Sequence, residues 1–205
     1  MAIRGSARDR QMRQLIAMEA ARLMAEHGVR DYYAAKRKAA EQLGAAETQN
    51  IPGNDEIEQA LAAYQRLFQA HKQPQRLRQL RETALHAMRF FARFDARLVG
   101  SVLSGTAHEH STVSLHLFTD APQEIGLFLE QENIPFETHE HHLRLSGDAP
   151  TVGYPAYRFM AGETVMELTI FPVSGLRQAP RSPIDGRPMQ RAALPAVEKL
   201  LQSGP

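Results

Sequence analysis

Apolar residues along the first ninety positions recur at helical spacing, and along the next eighty at strand spacing, so the chain changes its period once. Leu15, Ile16, Met18, Leu23 and Met24 form a stripe that ends at Gly28, and Ser6 with Asp9 three residues on resembles a capping box. A second helix is predicted from Asp31 to Leu43, rich in Ala and Lys and stopped by Gly44. Residues 45–53, ending Ile-Pro-Gly, form a loop. Asn54 then caps a third helix carrying Ile57, Leu61, Tyr64, Leu67 and Phe68, and Pro74 stands in the first turn of a fourth carrying Leu77, Leu80, Leu85, Met88 and Phe91.

After Phe94 the pattern shortens to β-branched and alternating runs broken by Gly and Pro. These predict strands at 97–103, 111–118, 136–146, 155–161 and 164–172, with a helix over 121–132 that points Ile125, Phe128 and Leu129 inward. Ala161-Gly162-Glu163 joins the last two strands as a hairpin. From Arg177 the chain is an arm full of turn signals, closed by a short helix over 194–202. The expected class is α+β: a helical region (1–94), an α+β core (95–176) and a C-terminal arm with its helix (177–205).

Composition narrows the functional classes. The 205 residues contain no cysteine, which excludes a disulfide framework, a thiolate metal site and a cysteine nucleophile. No long apolar run and no signal-peptide pattern stands in the sequence, so a cytoplasmic protein with no membrane partner is expected. The net charge of +1 makes no general argument for nucleic acid. Charge is nevertheless uneven: Lys72, Arg76, Arg78, Arg81, Arg89, Arg93 and Arg97 face only Glu82 and Asp95, a run best read as a solvated helix face. Arg177, Arg181 and Arg187 of the arm are candidates for phosphate contact or for a basic wrap.

The candidate chemistry lies in residues 100–118, where Gly100-Ser101 leads through Gly105 to Ser111-Thr112-Val113-Ser114-Leu115. This segment resembles the active-site frame of the nucleotidyltransferase superfamily, in which a Gly-Ser turn is followed by a strand bearing two metal-binding aspartates. Those two positions fall here on Thr112 and Ser114, whose hydroxyls coordinate magnesium far more weakly than carboxylates. The family's third carboxylate, on a neighbouring strand, has its counterpart in Glu167. The resemblance therefore implies a small mixed sheet of nucleotidyltransferase-like fold. It also implies a degenerate site in which Gly100, Ser101, Gly105, Ser111, Thr112 and Ser114 bind a nucleotide or phosphate group and Glu167 is the one remaining acid. Nucleotide, or possible nucleic acid, is the ligand class, in a regulatory role.

Two alternatives stand beside it. In one the chain is an active enzyme, using magnesium held by Glu167 with Glu109 or Asp120 as substitute ligands. In the other the N-terminal helices bind a partner and the sheet supports them. Histidines form a second constellation: His108, Glu109 and His110 before the second strand, His116 within it, and His139, Glu140, His141 and His142 in the third. Imidazole with carboxylate suits zinc, nickel or copper, and His139 and His141 share a strand face, but the alternation reads first as a solvated edge strand, and no metal ligand is assigned.

Overall fold

The computed structural model describes residues 7–29, 31–109, 111–146 and 149–202, so the proposed cap at Ser6 and the histidine at 110 lie outside the described residues. The chain is α+β, with helices α1 (Ala7–His27), α2 (Tyr32–Gln42), α3 (Asn54–Phe68), α4 (Gln73–Phe90), α5 (Ser101–Ser104), α6 (Gln123–Gln131) and α7 (Leu194–Gln202). Its strands are β1 (Arg97–Val99), β2 (Val113–Phe118), β3 (Phe136–Arg144), β4 (Thr151–Ala161) and β5 (Thr164–Phe171). No described helix is long and apolar enough to cross a membrane. The chain divides into two compact units: Met1–Gln73 with His108–His110 and Pro183–Asp185, and the remainder, which holds α4 and the sheet.

In the first unit α1 packs against α2 and α3 through Ile16, Ala17, Ala20, Leu23 and Met24, which meet Ala35, Ala39, Ala40 and Ile57. Small alanines let the helices approach closely. The stripe differs from the predicted one, because Leu15 and Met18 are exposed and Ala17, Ala20 and Ala21 take their places. Leu67 and Phe68 at the end of α3 are likewise exposed. Asp31 caps α2 by accepting the Ala34 N–H at 2.7 Å. At α3 the cap is Gly53 rather than Asn54; the Gly53 N–H donates to Glu56, whose carboxylate also receives Arg13.

The second unit is built on a five-stranded sheet ordered β1-β2-β5-β4-β3, in which β2 and β5 run parallel and every other neighbouring pair antiparallel. One face carries Leu98, Val113, Leu115, Leu117, Tyr157, Phe159, Met166, Leu168 and Ile170 into a core closed by α4, α6 and α7. Leu77, Leu80, Met88 and Phe91 supply α4's share, Ile125 and Leu129 that of α6. Burying this set is the main stabilising term of the unit. The predicted strand 97–103 stops at Val99, since Gly100 (φ 74°, ψ −157°) turns the chain out of the sheet and Ser101–Ser104 wind into α5. Val102 is apolar because it packs in the core from a helix, a case that strand-like composition misreads.

Candidate functional site

Strand alternation puts the polar residues of the sheet on the face opposite the helices. Across the strands this face reads Arg97 on β1, Ser114 and His116 on β2, Glu167 and Thr169 on β5, Arg158 and Ala156 on β4, and His139 and His141 on β3. The register fixes the neighbours: Ser114 opposes Glu167, Glu167 opposes Arg158, Thr169 opposes Ala156, and Ala156 opposes His139. β4 thus lies between the histidines and Glu167. Ala156, having no side chain beyond Cβ, lets the imidazoles cross over it.

The crossing creates a compact cluster. The Glu167 Oε1 lies 2.8 Å from His139 Nε2, 3.1 Å from His141 Nε2 and 3.5 Å from an Arg158 terminal nitrogen. The second nitrogen of His141, Nδ1, is 2.9 Å from Thr169 Oγ1. The side chain of Glu167 is 11% exposed, against 31% for His139 and 39% for His141, so the carboxylate sits beneath a more open pair of rings. Burial acts to raise the Glu167 carboxyl, but hydrogen bonds from His141 and His139, with the charges of His141 and Arg158, outweigh it and hold the group at about 2.

Next to it on β2, His116 accepts a hydrogen bond at Nδ1 from the Nε–H of Arg191, 3.0 Å away. Burial, with the charges of Arg191 and His141, pushes this imidazole down to about 3. Arg191 also donates to the Gly175 carbonyl at 2.7 Å and lies over the rings of Phe118 and Phe171. One of its terminal nitrogens is buried without a hydrogen-bond partner. Burial and nearby Arg97 lower its guanidinium to about 10. The far end of this face is closed by Phe118, Tyr154 and Phe171 with Leu143, Leu145 and Leu176; at the opposite, more open end Arg158 is exposed and Ser114 half-buried beside the buried Glu167.

The residues singled out in the sequence gather at that open end to different degrees. Val99 pairs with Ser114, so the Gly100–Ser101 turn leaves β1 where Thr112 enters β2. Ser114 and Glu167 are direct register partners. Gly100 and Gly105 serve the backbone: both have positive φ, Gly105 terminates α5, and the Ser101 carbonyl accepts the N–H groups of Gly105 and Ala107. Ser111 is buried just before β2. Thr112 precedes β2, so within the strand Ser114 and His116 share a face.

Other expectations changed. Asp120, a candidate substitute ligand, accepts the Val173 N–H at 3.0 Å. Of the basic run, Lys72, Arg78, Arg89 and Arg93 are exposed, as on a solvated helix face, whereas Arg81 is buried and donates to the Val102 carbonyl; Arg93 also covers Phe94 and Phe128, Arg89 pairs with Glu198, and Arg97 with Asp95. β3 is an edge strand as expected, but its two inward histidines are bound to Glu167, whereas His142 pairs with Glu140 on the opposite face. Arg191 escaped the sequence reading; it stands alone after Gln190 in a loop, with no pattern to mark it.

Comparison with protein-family models, with curated proteins and with solved structures returns no match to this chain. Its chemistry therefore has to be read from the side chains. The residues present do not fit a two-magnesium centre, because Thr112 and Ser114 offer hydroxyls and the Glu167 carboxylate is engaged by two imidazoles and a guanidinium.

Proposed function

We propose that the open end of the polar sheet face binds a phosphate-bearing ligand, a nucleotide by class, and does not turn it over. The reading takes its starting point from the resemblance of residues 100–118 to a nucleotidyltransferase frame lacking its paired aspartates. One observation carries it: Arg158, its side chain 45% exposed, stands beside Ser114's partner Glu167, a carboxylate already held by His139 and His141. An exposed guanidinium next to a carboxylate that two imidazoles already engage attracts phosphate directly. Ser114 beside Glu167 supplies a hydroxyl for the same ligand.

Calorimetric titration of the chain with ribonucleoside triphosphates, with and without magnesium, tests the proposal. Expected are saturable binding that magnesium does not strengthen, at least about tenfold weaker binding in Arg158→Ala, corresponding to ~1.4 kcal/mol, and no release of pyrophosphate. Absence of binding to every nucleotide removes the reading. Magnesium-dependent pyrophosphate release replaces it with that of an active transferase.

A further inference from the structure

The geometry points to a transition-metal site of the zinc class, formed by His139 and His141 of β3 and Glu167 of β5, on the same sheet face as the proposed nucleotide site but tested without any nucleotide. The three donor atoms all lie within 4.8 Å of one another. In tetrahedral zinc sites with bonds of about 2.0–2.1 Å, ligand atoms stand about 3.3 Å apart. Here the carboxylate oxygen is 2.8 Å and 3.1 Å from the two imidazole nitrogens. Opening those gaps by a few tenths of an ångström admits the ion, and half-exposed rings on an edge strand can make that adjustment.

The donor chemistry selects the metal. Two imidazoles and one carboxylate form a borderline-soft set that favours zinc, cobalt or nickel, whereas magnesium and calcium demand mostly oxygen. The surroundings fit a metal as well. Thr169 Oγ1, 2.9 Å from His141 Nδ1, is placed to accept a hydrogen bond from an Nδ1–H, the tautomer that leaves Nε2 with its lone pair for the ion. Thr169 is buried, so this orienting contact is held by the sheet itself. Without metal, each Nε2 carries the proton and donates it to Glu167. With metal, both imidazoles carry their proton on Nδ1, and His141 donates a hydrogen bond from it to Thr169 Oγ1.

Backbone register makes the arrangement specific to these residues. His139 and His141 stand two apart on one strand face, and Ala156, opposite His139 on one side and Thr169 on the other, is small enough to leave room for the rings to reach β5. His142, one residue along, points to the other face, where it meets Glu140. Three protein donors leave the fourth position of a tetrahedral ion for water or an anion.

Calorimetric titration of zinc, and separately of cobalt, into untagged, chelator-treated full-length chain decides the matter. Expected are one equivalent bound per chain, a rise in melting temperature with zinc, and visible absorption of tetrahedral cobalt. His139→Ala, His141→Ala and Glu167→Gln each weaken binding by a hundredfold or more, His142→Ala leaves it unchanged, and Thr169→Val weakens it about tenfold or more through loss of the orienting contact. Circular dichroism of each variant separates lost metal binding from lost folding, and Glu167→Gln, nearly isosteric, retains the fold. Octahedral cobalt spectra, binding lost in His142→Ala, or no binding at one equivalent in the folded wild-type chain overturns the assignment.

Discussion

Arg191 holds His116 in its neutral form: the guanidinium Nε–H donates to His116 Nδ1 at 3.0 Å, so this nitrogen must present a lone pair and cannot carry a proton. The pairing runs against the usual preference for placing a cation beside a carboxylate. It persists because the imidazole is nearly dry and Arg191 is stabilised elsewhere, by the Gly175 carbonyl and the faces of Phe118 and Phe171.

Stability is expected to fall as the solution is acidified below the ordinary histidine range. The folded-state value for His116 is about 3 against 6.5 ordinarily, so between these pH values the unfolded chain binds a proton that the folded chain refuses. Stability therefore rises with pH across this window, at up to ~1.4 kcal/mol per pH unit, and is fully present above it. Glu167 acts in the same direction but lower down, its folded value of about 2 lying below its ordinary 4.5. The charge of Arg191 faces the same ring and adds to the cost of protonating it, which reinforces the slope. Urea unfolding at pH 5 and 6.5 isolates His116. The difference between the two should shrink in His116→Gln, and an equal difference in that variant would show that another group carries it.

Gly100→Ala should destabilise the chain by ~1–3 kcal/mol even though the added methyl meets nothing within 4 Å. The cost is conformational: φ 74° with ψ −157° belongs to a region that residues with a Cβ almost never occupy. Thermal and chemical unfolding measure it. A variant as stable as the parent would mean that β1 runs on past Val99, and would restore the strand to position 103 that the composition suggested.

That strand end illustrates where the sequence was legible. Alternation in Val113–Phe118 and in Thr164–Phe171, with a Gly-containing turn before the latter, marks two strands whose spacing and faces the structure reproduces. Helices α1 to α4, α6 and α7 follow from period and punctuation within a few residues. Which face of α1 is buried does not follow, because alanines at 17, 20 and 21 contribute little to a hydrophobic pattern yet decide the close approach of helices. The cluster at Glu167 was half visible. Glu167 amid apolar residues and the shared face of His139 and His141 could each be read locally, but bringing them together depends on β4 inserting between β5 and β3, a topological fact that no local pattern encodes. Arg191 had no local signal at all.

Ala156→Leu should break the Glu167 cluster without removing any of its members. Ala156 is 1% exposed and opposes His139 on one side and Thr169 on the other, so both rings reach Glu167 through the space above its methyl. A leucine fills that space. The rings must then swing outward on the edge strand, since the central strands cannot move without disturbing the apolar face behind them. Two readouts follow. Chemical unfolding should show a loss of ~1–3 kcal/mol from overpacking and from the lost hydrogen bonds. Nuclear magnetic resonance should show the slowly exchanging imidazole N–H protons of His139 and His141 in the parent and rapid exchange in the variant. Ala156→Gly, which keeps the space open, should lose some stability through backbone freedom while retaining the slow protons. Slow exchange that survives in Ala156→Leu would mean that the histidines reach Glu167 by another route, and that the small residue on β4 has no part in assembling the site.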